Sequence, residues 1–173
     1  MMMLIYLSMI ESEADKSKFI ALYETYRSSM YYTANKILNN RDDAEDAVHQ
    51  AFLKVAETIE TVDDSVPGRV KGFLITITRH YAIDLYRKKK RLSLFEVEIK
   101  QDAAGIYEGS GILTQCIDRL PETYRAVILL RHKYGYEIKD IARLLSLSQS
   151  NTAKIHQRAK TKLEQMCREE GIL

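Results

Sequence analysis

The sequence is short of the residues on which several protein classes are built. Only two cysteines, Cys116 and Cys167, occur in 173 residues, far apart in the chain. That is too few for a disulfide scaffold, and it fits a reducing cytosol. No Cys/His spacing suits zinc, and His49, His80, His132 and His156 have no partners at metal-ligand spacing. No metal and no cofactor are therefore expected. A Gly-rich phosphate loop, a nucleophile elbow and a spaced carboxylate pair are all missing, so no catalytic residue is assigned and no enzyme is expected. Charge of one sign is also scarce: 26 Lys and Arg against 24 Asp and Glu leave +2. Any preference for nucleic acid must come from local clusters. The apolar opening, MMMLIYLSMI, runs for ten residues without a basic leader or a small-residue cleavage site. It is neither a signal peptide nor a membrane span, and a loosely held extension is expected there.

What the chain does have is helical periodicity. The only prolines are Pro67 and Pro121, and no segment joins β-branched enrichment to strict alternation. The expected fold is all-α. Phe19, Leu22, Tyr23, Tyr26, Met30, Ala34, Ile37 and Leu38 form one stripe, a helix over about 16–38. Asp42 reads as the N-cap of the next helix, with Glu45 three residues on, and that helix runs to about Ile59. The polar loop Glu60–Gly68 follows, and Pro67 opens a third helix.

That third helix, KGFLITITRHYAIDLYRKKKR, carries two unlike faces. Val70, Phe73, Leu74, Ile77, Tyr81 and Leu85 form its apolar stripe; Thr76, Arg79, His80, Ile83, Arg87 and Lys90 lie mostly opposite. It ends in five consecutive cations, more than a helix dipole needs and suggestive of a polyanion. Tyr86 near Arg79, His80, Arg87 and Lys88 suits stacking on unpaired bases. Asp84 suits a helical ion pair with one of these cations.

Three such helices can enclose a core, so a first domain is placed at 10–91. Residues 92–111 hold scattered acids and no sustained periodicity, which reads as a linker with a short ordered piece near 94–97. A second domain is placed at 112–170. Within it EIKDIARLLSLSQSNTAKIHQRAKTKL has helix-turn-helix spacing. Ala142 allows a close crossing, Leu147 plugs the turn and Ser148 caps the second helix. That helix has no acid before Glu164. Gln149, Ser150, Asn151, Lys154 and Arg158 are its candidate DNA contacts, since amides pair with adenine and cations reach phosphate or guanine. A solvated helical hairpin is the bland alternative. In the second helix of the chain, capping alone explains Asp43, Glu45 and Asp46, although Leu53 within a polar surface marks a weak interface.

Taken in order, DAEDAVHQAFLKV, FLITITRHYAIDLYRKKKR, a linker and LPETYRAVILLRHKYGYEIKDIARLLSLSQSNTAKIHQRAKTKL resemble a bacterial RNA polymerase sigma factor of the sigma-70 family. The resemblance is to the short extracytoplasmic-function (ECF) group with regions 2 and 4 only. It implies a cytoplasmic transcription initiation factor whose partners are core RNA polymerase, through the β′ clamp and β flap, and promoter DNA, with an anti-sigma factor common in this group. It implies that Asp43, Glu45, Asp46, Gln50, Phe52 and Leu53 bind core polymerase. Arg79, His80, Asp84, Tyr86, Arg87 and Lys88 would read and help melt the minus-ten element, with the 60–68 loop receiving a flipped base. Gln149, Ser150, Asn151, Lys154 and Arg158 would read the minus-thirty-five element. The chain departs from the family at His80, where Asn is usual, and at Ser146, which replaces a turn glycine. It departs also at Ala153 and Ile155, where basic residues are frequent, and at His156, where an apolar residue is common. A free-standing helix-turn-helix regulator and a sequestering sigma-like protein are the alternatives.

Overall fold

The computed structural model describes residues 2–92 and 111–172, so the linker reading and its ordered piece near 94–97 lie outside the described residues. Among the described residues there are eight α-helices and no strand. They are α1 (Met2–Ser8), α2 (Glu13–Leu38), α3 (Arg41–Glu57), α4 (Pro67–Leu92), α5 (Ile112–Asp118), α6 (Glu122–Ile128), α7 (Ile138–Leu144) and α8 (Gln149–Glu169). None of these helices is long and apolar enough to cross a membrane.

The bundle α2–α3–α4 forms as the stripes predict. Asn39 ends α2 in the left-handed region at φ 48°, and Asn40, not Asp42, caps α3, its side chain accepting from the Asp43 amide at 3.0 Å. The acids at Asp42 and Asp43 therefore lie in the first turn, where the helix dipole favours them.

The N-terminal stretch is not a loose extension. It is the docked helix α1, and Tyr6 is 1% exposed. The Tyr6 ring packs against Phe19 at 5.3 Å and Phe52 at 6.0 Å, and its hydroxyl meets His49 Nδ1 at 2.6 Å. An aromatic with a polar tip is well suited to closing an apolar core beside one polar partner.

Helix α4 is common to both halves of the molecule. One side packs on α2 and α3. The other receives α6, α7 and the segment between them, so one hydrophobic core runs from Phe19 and Phe52 through Phe73 and Ile77 to Leu130, Ile141 and Leu144. Phe73 stacks on Tyr136 with centroids 5.1 Å apart and meets Tyr134 edge-on. Gly72 makes this approach possible, because a Cβ there would sit 2.5 Å from the Tyr134 hydroxyl. A smaller second core, with Cys116, Leu120, Ile128, Ala159, Met166 and Cys167, holds α5, α6 and α8 together.

Candidate nucleic-acid interface

The helix-turn-helix takes the geometry its spacing predicts. Ile141, Ala142, Leu144 and Leu145 are buried. Ser146 stands at φ +53°, the left-handed turn conformation that glycine would adopt more easily. The Leu147 amide donates to the Ala142 carbonyl at 2.8 Å, and the Ser148 hydroxyl caps α8 by accepting from the Asn151 amide at 3.2 Å. Gln149, Ser150, Asn151, Lys154 and Arg158 are all exposed along one end of α8. These five polar or basic side chains lie in the first half of a helix with no acid before Glu164, a surface of the kind that can enter a major groove.

The basic helix behaves otherwise. Periodicity puts Arg79 and His80 on the outer face, yet Arg79 is 2% and His80 8% exposed. Helix α6 and the turn before α8 cover them. Arg79 Nη2 donates to Glu122 Oε2 at 3.3 Å, and Arg125 lies 3.7 Å from the same carboxylate. Burial drives the His80 imidazole below its ordinary value and toward the neutral form, against the pull of Glu122 and Asp84. The Tyr81 hydroxyl donates to the Leu144 carbonyl at 2.7 Å and meets Ser146 Oγ at 3.2 Å, which fixes the helix-turn-helix turn to α4. Arg69 reaches the Tyr134 carbonyl at 3.1 Å. The opposite face of α4 is thus a second packing face. A periodicity count sees Thr76 and Arg79 as polar and assigns them to solvent; tertiary packing supplies the partner that buries them.

Further along α4 the surface opens. Arg87 and Lys88 are exposed, while Tyr86 and Asp84 are half-buried. Asp84 and Lys88 form an i,i+4 ion pair at 2.7 Å. In the 60–68 loop, Asp63 to Gly68 are exposed. Asp63 accepts from the Ser65 hydroxyl at 2.5 Å and from its amide at 3.1 Å, which holds the Asp63 carboxyl below the usual range.

On α3, Asp46 and Gln50 are exposed and Leu53 is half-buried. Two of the six candidate polymerase contacts lie deeper. Phe52 is 0% exposed, a core residue beneath the surface. Asp43 is largely buried and paired with Lys89. Glu45 is half-buried and held by Arg27 at 2.7 Å. Asp46, Gln50, Asp84 and Lys88 line a cleft of about 660 Å³ with His80, Thr123 and the turn residues Ser146 and Leu147. The acidic helix, the basic helix and the turn of the helix-turn-helix therefore share one groove.

Residues that sequence reasoning missed here are Glu122, Tyr134 and Tyr136. Each gains its role only from what α4 places opposite it. For Glu122 the sole sequence hint is an acid directly after Pro121, which helix initiation explains by itself.

Residues 22–92 match the family model of sigma-70 region 2, and residues 110–163 match that of sigma-70 region 4. The RNA polymerase sigma factor SigV of Bacillus subtilis is 25% identical over 150 residues, spanning 84% of this chain and 88% of that protein. The ECF RNA polymerase sigma factor SigX of the same organism is 26% identical over 146 residues, spanning 76% and 74%. A solved structure of the sigma factor RpoE in complex with the anti-sigma factor NepR, from Bartonella quintana, aligns with 18% identity and TM-score 0.42 over 91% of this chain and 98% of that one. With both regions matched in order along its length, the chain belongs to the sigma-70 family of RNA polymerase sigma factors, in the extracytoplasmic-function group.

Proposed function

We propose that the chain is a transcription initiation factor that binds core RNA polymerase, directs it to selected promoters and assists melting, without a catalytic step of its own. The observation that carries this reading is the succession of sigma-70 regions 2 and 4 on one chain, ending in a helix-turn-helix whose candidate base-reading residues stand free of the protein body. The site of action would be the cytoplasm, where the polymerase works. The division at 10–91 and 112–170 is the corresponding division of labour.

Within this reading each residue set has a stated task. Asp46, Gln50 and Leu53 present the docking surface for the β′ clamp, with Glu45 and Asp43 shaping it through their cation partners. Gln149, Ser150, Asn151, Lys154 and Arg158 read closed duplex at the minus-thirty-five element. Arg87, Lys88 and Tyr86 meet the minus-ten strand, joined by Arg79 and His80 once region 4 has moved off α4. Polymerase would supply that displacement, since tethering each region to its own site on core enzyme competes with their mutual packing. The β flap and an anti-sigma factor are the further partners this reading expects.

The test is run-off transcription with purified core enzyme and a promoter library. A transcript that depends on both core enzyme and this chain supports the reading. Strong gel shift of a promoter by the chain alone, with no stimulated transcript, replaces it with a free-standing DNA-binding regulator.

A further inference from the structure

Two histidines that the sequence leaves without partners meet across region 4. His132 Nε2 lies 3.0 Å from His156 Nε2, with ring centroids 5.2 Å apart and planes 24° from parallel. His156 is half-buried on α8, two residues after Lys154 and two before Arg158, within the DNA-reading stretch. His132 is exposed and sits in a π-helical turn, Leu129–Lys133, that continues α6. Single π turns inside helices are rare and concentrate at functional sites, because the extra residue re-aims the side chains it carries.

The geometry suits an ion as well as a shared proton. Two imidazole nitrogens bound at about 2.0–2.1 Å to one tetrahedral ion lie roughly 3.3 Å apart, within a few tenths of an ångström of the separation here. Converting the contact to a chelate turns both rings by about 35° so that their lone pairs converge on one ion, with the ring protons on Nδ1. His132, but not His156, also borders a cavity of about 240 Å³ lined by Thr114 and Asp118. Burial, followed by the neighbouring His132, Arg131 and Lys160, pushes the His156 imidazole below its ordinary value. Two of the nearby cations are already engaged by acids: Arg131 with Glu137 at 3.1 Å and Lys160 with Glu164 at 3.9 Å. Among the described residues no third His, Cys, Asp or Glu completes the cluster, so the site would be open and two-coordinate from protein. Imidazole pairs of this kind take zinc, nickel or copper in preference to magnesium or calcium.

We propose that His132 and His156 form a bidentate site for a divalent transition ion of the zinc or nickel class, which clamps the DNA-reading helix α8 to the turn after α6. This does not depend on the promoter reading, and its test needs no transcription. The full chain is titrated with Zn²⁺ and, separately, with Ni²⁺, followed by calorimetry and by thermal unfolding. One ion per chain and a midpoint that rises with ion concentration are expected. His132→Ala and His156→Gln should each weaken binding by more than about tenfold, since either leaves a single ligand. His156→Gln retains a polar side chain at the half-buried position, and far-UV circular dichroism confirms that it folds. Saturable binding that survives both substitutions would place the ion elsewhere and overturn the site. So would a histidine pair that titrates with pH but takes up no ion, leaving a plain proton-sharing contact.

Discussion

The two surfaces that the proposed function assigns to DNA are built in opposite ways. On α8 the candidate contacts are exposed and stand clear of the protein body. On α4 the first two, Arg79 and His80, are buried under the other half of the molecule, and only the last turns remain open. A surface that reads closed duplex can stay ready, because a groove exists before the protein arrives. A surface that holds an opened strand has no ligand until melting begins. Exposed in the interim, it would present cations and aromatic rings to any single strand. Packing Arg79 and His80 against region 4 withdraws part of that surface, at the cost of a buried charge network, and leaves Arg87 and Lys88 exposed.

That contrast can be broken or sharpened experimentally. The largest effect is expected at Glu122→Ala, which leaves Arg79 and Arg125 facing each other without their shared carboxylate. Removing one partner from a buried ion pair costs about 3–5 kcal/mol. The loss should fall on the closed arrangement, seen as a larger radius of gyration by small-angle scattering with helicity retained. An unchanged radius would show that the two halves do not depend on this acid. Next is Gly72→Ala. The added methyl meets the Tyr134 hydroxyl, and overpacking of this kind costs about 1–3 kcal/mol. The same change favours α4 as an isolated helix, so it should separate the halves without touching any charge. Faster hydrogen exchange in α7, with that in α2 unaltered, is the readout.

Asp46→Lys addresses the open acidic surface. It should weaken capture on immobilised core polymerase by at least tenfold, about 1.4 kcal/mol, while leaving the thermal midpoint nearly constant. Equal capture removes Asp46 from the docking surface. Lys154→Ala with Arg158→Ala should flatten the salt dependence of duplex binding by roughly one unit of log–log slope for each phosphate no longer neutralised. An identical slope means neither side chain faces the backbone. The smallest effect is with pH. His80 has a folded pKa below its ordinary value of 6.5, so its contribution to the closed packing is complete above that value and is lost as the pH falls below it. Scattering at pH 7.5 and pH 5.5 should show expansion on acidification, absent in His80→Gln.

Helix positions and the turn chemistry of the DNA-reading motif are legible in the sequence because they rest on local signals. Ser148 caps its own helix, Leu147 plugs its own turn, and Ser146 takes the positive φ that its place demands. Four features are not legible, for a shared reason. Tyr6 meets His49, Arg79 meets Glu122, His132 meets His156 and Gly72 meets Tyr134 across long stretches of chain. Periodicity places a residue on a side of its helix, but it does not say whether water or another helix lies beyond. Phe52 illustrates the converse: family position assigns it to the polymerase surface, and its apolar ring belongs under that surface.

Arg79 will mislead anyone who surveys this molecule one alanine at a time. In the proposed function, truncating it would both unfasten the resting molecule and deprive the opened promoter of a cation, two changes that push transcript yield in contrary directions. A near-normal score at that position would be a cancellation, and only pairing it with a change at Glu122 would separate the two contributions.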